Sequence, residues 1–277
     1  MIDLHSHTNK SDGSLSPAEL IDLACRRGLR TLSITDHDTV EGYDEAAPCA
    51  RAAGLELLCG VELSTKFHGQ TVHILGYFFH RPPGEIFREH LHCLQTARRE
   101  RNTRLAARLR ELGLHVEREE AEKLGRSQAG RPHFARLLVE KGYVADIREA
   151  FDRYLDENAP GYVERREASL ENIIRWIHEA GGFASWAHPV RLVRRVGLPV
   201  ESLFREMAGR EIDAIEAYHS DHGPAEQAAY LAAAAKIGLA VTGGSDFHGD
   251  SKPHINLGGV LLPPAALEAL RTLRPAA

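Results

Sequence analysis

Short apolar runs recur along this chain, and almost every one of them ends on a histidine or an acid. The first is the N-terminus itself, where Ile2-Asp3-Leu4-His5-Ser6-His7-Thr8 alternates like a short strand. Residues two apart on a strand point the same way. His5 and His7 therefore aim two imidazoles into one space, and Asp12 follows after a short loop. Residues 31–35 run into Asp36, His37 and Asp38, and residues 55–61 run into Glu62. Residues 70–79 carry His73, residues 183–187 lead to His188, residues 214–218 to His219, and residues 239–245 to Asp246, Phe247 and His248. Helical segments separate most of these runs. Ser16-Pro17-Ala18-Glu19 reads as a helix start, with Ser as N-cap, Pro in the first turn and Glu three residues on. Leu20, Leu23 and Ala24 supply its apolar stripe, and Gly28 is its stop. Strand–helix alternation with short connections calls for an α/β fold with a parallel sheet, closed or nearly closed into a barrel. Active sites of such barrels lie at the carboxyl ends of the strands, where the ligand-type residues collect.

The middle of the chain differs. From about residue 98 to residue 166 no strand is expected. A charged helical stretch opens at Arg98 and runs to Leu112, further helices cover residues 131–141 and 147–155, and Asn158-Ala159-Pro160-Gly161 marks a turn. Residues 98–166 read as a small α-helical insertion over the barrel mouth, leaving 1–97 and 167–277 to form the barrel.

The chain is long enough to bury a sizeable core as one large domain or one domain with an insertion. No apolar run approaches the ~18 residues of a membrane span. The N-terminus has no charged-then-apolar signal segment and supplies ligands at once, which argues against a cleaved leader. The four cysteines, Cys25, Cys49, Cys59 and Cys93, form no Cys-x-x-Cys pair. They read as reduced, mostly buried thiols in a cytoplasmic protein. A net charge of −5 with neutral histidines speaks against a protein that coats long nucleic acid. A small anionic substrate fits better, because bound cations would reverse the sign locally. No membrane association and no obligate protein partner are expected.

Six separated motifs, taken in order, resemble the PHP family (polymerase and histidinol phosphatase). They are His5-Ser6-His7, Thr35-Asp36-His37-Asp38, Gly60-Val61-Glu62, His73, Ala187-His188-Pro189 and Gly244-Ser245-Asp246-Phe247-His248. The resemblance spans the barrel and implies a distorted (β/α)7 PHP barrel that holds two or three divalent metal ions. Carried over residue by residue, it implies that His5, His7, Glu62 and Asp246 hold the first metal. Glu62, His73 and His188 would hold the second, with Glu62 bridging, and Asp12, His37 and His248 the third. The donor types agree independently: imidazole and carboxylate without thiolate suit Mn2+, Zn2+, Fe2+ or Co2+ in an open site. Asp12 stands where many members of the family carry His, which hardens the third site and leans the choice toward Mn2+.

Asp3, Asp36 and Asp38 are placed to orient ligands through hydrogen bonds, and Asp38 is also open to touch substrate. His219 and His222 read as surface or core residues, and Gly243-Gly244 as backbone accommodation near the metals. Closely spaced divalent metals suit hydrolysis of a phosphate ester. No Ser or Cys nucleophile motif is present, so water attacks phosphorus directly. The leaving oxygen could be protonated by Asp38, by a metal-held water or by a nearby histidine.

The insertion offers Arg98, Arg101, Asn102, Arg131 and His133. Gly130-Arg131-Pro132-His133-Phe134-Ala135 resembles a segment of one PHP branch, the 3′,5′-nucleoside bisphosphate phosphatases and related 5′→3′ RNA-trimming enzymes. That resemblance implies a 3′-phosphate at the metals and a 5′-phosphate held by the insertion, with short 5′-phosphorylated RNA as a second substrate. Arginine forks bind phosphate in bidentate fashion. Phe134 either stacks on a base, as aromatics do with unpaired nucleotides, or belongs to the core. Two other readings stand beside this one. A histidinol-phosphate phosphatase would need a site for an amine and an imidazole, which the Arg-rich insertion does not suggest. A non-catalytic PHP scaffold module would show decayed ligands, whereas every ligand position here is filled.

Overall fold

The computed structural model describes residues 1–125, 129–164 and 167–273. The insertion boundary expected at residue 166 and the chain end at 277 lie outside the described residues. Seven strands form one sheet in sequence order: β1 (Ile2–Asp3), β2 (Thr31–Ile34), β3 (Glu56–Phe67), β4 (Gln70–Phe78), β5 (Phe183–Trp186), β6 (Ala214–His219) and β7 (Ala240–Gly244). Around and between them run α1 (Pro17–Arg26), α2 (Glu41–Ala53), α3 (Glu85–Glu111), α4 (Arg118–Gly125), α5 (Arg131–Glu140), α6 (Ile147–Ala150), α7 (Leu170–Glu179), α8 (Val190–Val196), α9 (Val200–Ala208), α10 (Pro224–Ile237) and α11 (Pro264–Arg271).

The expectation of a wholly parallel sheet needs one correction. β4 runs antiparallel to both β3 and β5. A parallel return requires a crossover of about a dozen residues, and only His68 and Gly69 separate β3 from β4. Both have positive φ, 50° and 71°, the conformation of a tight hairpin whose twist matches its strands. The remaining neighbours are parallel.

The sheet nearly closes. Ser6 bridges Phe247 in parallel sense, with His7 N–H donating to Phe247 O at 2.9 Å and Asp246 N–H to His5 O at 2.9 Å. Gly244 permits this approach, since a Cβ there would stand 2.3 Å from the His5 nitrogen. Inside, Leu4, Leu58, Leu75, Tyr77 and Phe183 are packed together, and the Tyr77 hydroxyl donates to Leu4 O at 2.8 Å. Outside, Leu20, Ile21 and Ala24 of α1 pack with Ala46 and Ala50 of α2 over Leu32 and Ile34. The Ser16–Glu19 capping box starts α1 as its sequence predicts.

The chain divides into two compact units, Met1–His90 with Ala168–Ala277, and Leu91–Glu167. The second unit has its own core, in which Leu105, Leu109, Phe134, Leu138 and Leu155 are buried. α3 starts well before the charged stretch that announced it, α4 was not anticipated, and the third expected helix is α6 continued by a π-helical turn at Phe151–Leu155. All four cysteines are free thiols, but Cys25, Cys49 and Cys93 are exposed and only Cys59 is buried, which corrects the expectation of mostly buried thiols. Among the described residues no helix is long and apolar enough to cross a membrane.

Candidate metal centre

The strand ends bring nine histidines and acids into one cluster. Glu62, near the middle of the long β3, is its hub and is 1% exposed. Its two oxygens face different histidines. Oε2 lies 3.3 Å from His5 Nε2, 3.1 Å from His7 Nε2 and 3.4 Å from His37 Nδ1. Oε1 lies 2.7 Å from His73 Nδ1 and 3.1 Å from His188 Nε2. Asp246 Oδ1 completes the first group, 3.5 Å from both His5 Nε2 and His7 Nε2. Asp12 stands apart with His248 Nε2 at 3.2 Å and His37 Nε2 at 3.8 Å. Among the described residues four sets have donor atoms all within 4.8 Å of one another, and three consist of these ligand candidates: His5/His7/Glu62/Asp246, His37/Glu62/His73 and His7/Asp12/His37/His248.

These residues fit divalent cations. The Nε2 of His7 is buried, with no hydrogen-bond partner, although carboxylate oxygens surround it. A lone pair aimed at anions across 3.1–3.5 Å is the arrangement a cation between them would satisfy.

Buried groups behind the ligands set their orientation. Glu216, fully buried in β6, was missed in the sequence. Its Oε1 holds His5 Nδ1 at 2.8 Å and its Oε2 accepts from the His188 backbone N–H at 2.8 Å. The carboxylate fixes the proton on Nδ1 and leaves the His5 Nε2 lone pair for a metal. His219 also groups with His5 and Glu216. Its Nδ1 accepts from Asp221 N–H at 2.9 Å, so in the neutral ring Nε2 carries the proton, 3.6 Å from Asp246 Oδ2. That Nε2 is buried without a hydrogen-bond partner beside Asp246, so His219 belongs to the centre's surroundings and is not the bland residue its sequence suggested. Asp3 accepts from the backbone N–H groups of His5, Ser245 and Gly258 and from the Ser245 hydroxyl, tying β1 to β7. Asp36 accepts from Thr8 and Ser11 and shapes the loop that presents Asp12.

Backbone strain collects here. Among the described residues five non-glycine residues have positive φ, and three of them, Asp38 (54°), His188 (30°) and Asp246 (58°), belong to this centre. Such conformations cost on the order of 1–3 kcal/mol each and persist where surrounding structure over-determines them. Two cations were also missed in the sequence. Arg191 in the first turn of α8 and Lys252 both reach Asp246 Oδ2, at 2.9 and 2.7 Å.

The charges are strongly coupled. Burial opposes ionisation of Glu62, Asp12 and Asp246, but the surrounding imidazoles hold all three carboxyls well below their usual range. Burial likewise opposes charging of His7, yet Asp246 and Glu62 raise it to about 9; Glu216, Glu62 and Asp246 raise His5 well above its ordinary value. Without metal, the His7 imidazole therefore keeps a second proton at neutral pH. Metal binding must displace it, so affinity is expected to rise with pH as His7 gives up that proton through about 9. Calorimetric titration in buffers of different ionisation enthalpy measures the released protons, and pH-independent affinity would contradict the assignment. In metal-free protein the sign is opposite. The raised His7 stabilises the fold below its ordinary 6.5, and that contribution is lost as pH rises through about 9.

Residues 3–185 match the PHP domain model. The chain belongs to the PHP domain family. It is 36% identical over 284 residues to the 3′,5′-nucleoside bisphosphate phosphatase of Chromobacterium violaceum, covering 99% of each chain. It is 35% identical to the 5′-3′ exoribonuclease Rnm of Escherichia coli, covering 97% of this chain and 92% of that one. Among solved structures it is similar to an amidohydrolase from Chromobacterium violaceum with bound sulfate and no metal (TM-score 0.79, 35% identity, 97% and 96% covered). It is also similar to a Bifidobacterium adolescentis protein assigned as a metal-dependent phosphoesterase (TM-score 0.76, 31% identity, 98% and 95% covered). The nearly closed seven-stranded sheet is accordingly a PHP barrel, and the relatives place the chain among hydrolases of phosphate esters.

The expected substrate contacts lie in the second unit of this PHP protein. Arg101 and Asn102 are buried, with Arg101 Nε donating to Asn102 Oδ1 at 3.1 Å and Asn102 Nδ2 to Ala129 O at 2.7 Å. Arg131 donates to Leu155 O at 3.2 Å and stacks over Tyr162, while His133 Nδ1 accepts from Gly130 N–H at 3.1 Å. Phe134 is fully buried in that unit's core, so the base-stacking reading is corrected: no face of the ring is open to a nucleotide.

Proposed function

We propose that this protein removes the 3′-phosphate of nucleoside 3′,5′-bisphosphates, giving the nucleoside 5′-monophosphate and phosphate, and that it also trims short 5′-phosphorylated RNA from the 5′ end. The observation that carries the reading is Glu62, whose two oxygens face separate histidine sets beside Asp246. The names of its full-length relatives support the substrate class. His5, His7, Glu62 and Asp246 would hold one divalent ion, Glu62, His73 and His188 a second, and Asp12, His37 and His248 a third, with Mn2+ the ion we assign. Bound there, divalent ions would acidify water and neutralise the charge of the phosphoryl oxygens.

The protein's own groups do the rest. Arg191 and Lys252 offer N–H donors beside Asp246, where a phosphoryl oxygen would otherwise meet a carboxylate. Asp38 is 2% exposed, and its backbone N–H donates to Glu62 O at 3.1 Å. It is our assignment for the group that supplies a proton to the leaving 3′-oxygen. Arg101, Asn102, Arg131 and His133 of the helical unit are assigned to the second phosphate.

The test is phosphate release by Mn-loaded protein from adenosine 3′,5′-bisphosphate, 3′-AMP, 5′-AMP and histidinol phosphate. The bisphosphate is expected to lead, and a preference for histidinol phosphate would overturn the reading. Arg131→Ala is expected to raise KM for the bisphosphate about ten- to hundredfold, the loss of one charged hydrogen bond, with little change for 3′-AMP. Equal effects on both would remove Arg131 from the site.

A further inference from the structure

Between the end of β6 and the loop that follows β7 lies a cavity of about 670 Å3. It adjoins the metal centre. His219 lines it, and His219 Nε2 is 3.6 Å from Asp246 Oδ2; Ser245, the neighbour of Asp246, lines it too. Its wall mixes hydrogen-bonding groups of Ser220, Gln227 and Asn256 with apolar Ile255 and Leu261. His222 also lines it, its ring packed against His219 and Tyr230. Its Nδ1 pairs with Ala217 O at 2.9 Å, which leaves Nε2 as an acceptor, buried and without a hydrogen-bond partner. A buried polar atom in that state calls for a ligand or a water.

Hydrolysis of a bisphosphate gives this cavity nothing to hold, because its 3′-phosphate ends in oxygens. In an oligonucleotide the same phosphorus carries a further nucleoside through O5′. We propose that the cavity receives the nucleoside on the 3′ side of the scissile phosphate of a short RNA. The inference rests on the proposed function and names where its second substrate is bound.

The step balances. Water adds to phosphorus, the P–O3′ bond breaks, and O3′ takes the electron pair and a proton. The first nucleotide leaves as a 5′-monophosphate, and the next keeps the phosphate on its O5′. The bond broken is the same in both substrates, so one set of catalytic groups serves both and only occupancy of the cavity separates them. Ile255 and Leu261 offer apolar surface to the base. Ser220, Gln227 and Asn256 offer hydrogen bonds to base edges and ribose. The ribose 2′-hydroxyl, a donor that separates RNA from DNA, is among the groups these side chains would meet. With a net charge of −5, the protein suits di- and trinucleotides rather than long RNA.

The experiment compares 5′-phosphorylated diadenylate with adenosine 3′,5′-bisphosphate in the wild type and in Ser220→Trp, which fills the cavity from an exposed turn. Gln227→Ala removes one hydrogen-bonding group without added bulk. Metal content, measured in each, shows that the centre is intact. Ser220→Trp is expected to raise KM for the dinucleotide roughly tenfold or more while leaving the bisphosphate unchanged, and Gln227→Ala to act in the same direction by less. Equal losses on both substrates would overturn the assignment, since the cavity would then hold the nucleoside of the bisphosphate. A wild type that cleaves the bisphosphate but not the dinucleotide would overturn it too, with the phosphatase reading intact. Inactivity on both would remove the proposed function and the inference together.

Discussion

Glu62→Ala protein is expected to leave purification with most of its metal gone and its hydrolytic activity down by three orders of magnitude or more. Its carboxylate lies among five histidines. Its Oε2 faces His5, His7 and His37, and its Oε1 faces His73 and His188. Truncation removes one anionic donor from two adjacent sites at once and leaves His73 and His188 without the carboxylate oxygen they face, with only Asp246 left to face His5 and His7. Lewis-acid and charge-clamp effects of bound ions contribute several kcal/mol, and each ~1.4 kcal/mol is tenfold in rate. Asp246→Ala is expected to follow closely. It deletes a donor facing His5 and His7 and removes the acceptor of Lys252 and one of the two acceptors of Arg191 beside the vacated position. Asp38→Ala should behave differently, keeping its metal while activity falls about 10–100-fold. Elemental analysis of the three variants, run beside phosphate release, separates the roles. Full metal occupancy in Glu62→Ala would remove its bridging assignment.

Much of this centre could be read from the sequence because strand periodicity and ligand chemistry coincide. His5 and His7 sit two apart, and Asp36–Asp38, His188 and Asp246–His248 each follow an apolar run, so the strand ends mark themselves. The antiparallel β4 was harder to see. Its signal is the two-residue His68-Gly69 connection, which is too short for a crossover, but the long apolar runs on both sides look the same in either direction. The cations were missed for another reason. Arg191 and Lys252 are ordinary basic residues in sequence, and only the approach of α8 and the loop after β7 to Asp246 singles them out. Phe134 shows the limit from the other side: an aromatic in a resemblance-bearing segment fits a base or a core equally well, and packing decides for the core. Glu216 did leave a trace. A lone acid between Ile215 and Ala217 in a strand with no exposed face has no solvent to meet, so it must meet a buried partner.

That partner makes Glu216 the site of the second large effect. Glu216→Ala is expected to weaken metal binding about 10–100-fold and to lower the stability of the protein. The carboxylate is fully buried, and although burial opposes its charge, His5 and His219 hold its pKa below the ordinary value. It is therefore an anion within the barrel that pairs with the first histidine of the centre. Without it, His5 Nδ1 loses its acceptor, the ring can turn, and its Nε2 no longer points reliably at Glu62 and Asp246. The backbone N–H of His188, already held at a φ of 30°, loses its acceptor as well. Breaking one side of a buried, hydrogen-bonded pair typically costs about 3–5 kcal/mol. Glu216→Gln keeps the shape and one acceptor oxygen but presents an amide N–H to the other donor, so an intermediate loss is expected. Metal affinity distinguishes positioning from mere support. If Glu216 only fills the core, both variants should unfold earlier when metal-free yet bind metal as the wild type does once folded. If it aims His5, affinity should fall in the order wild type, Gln, Ala.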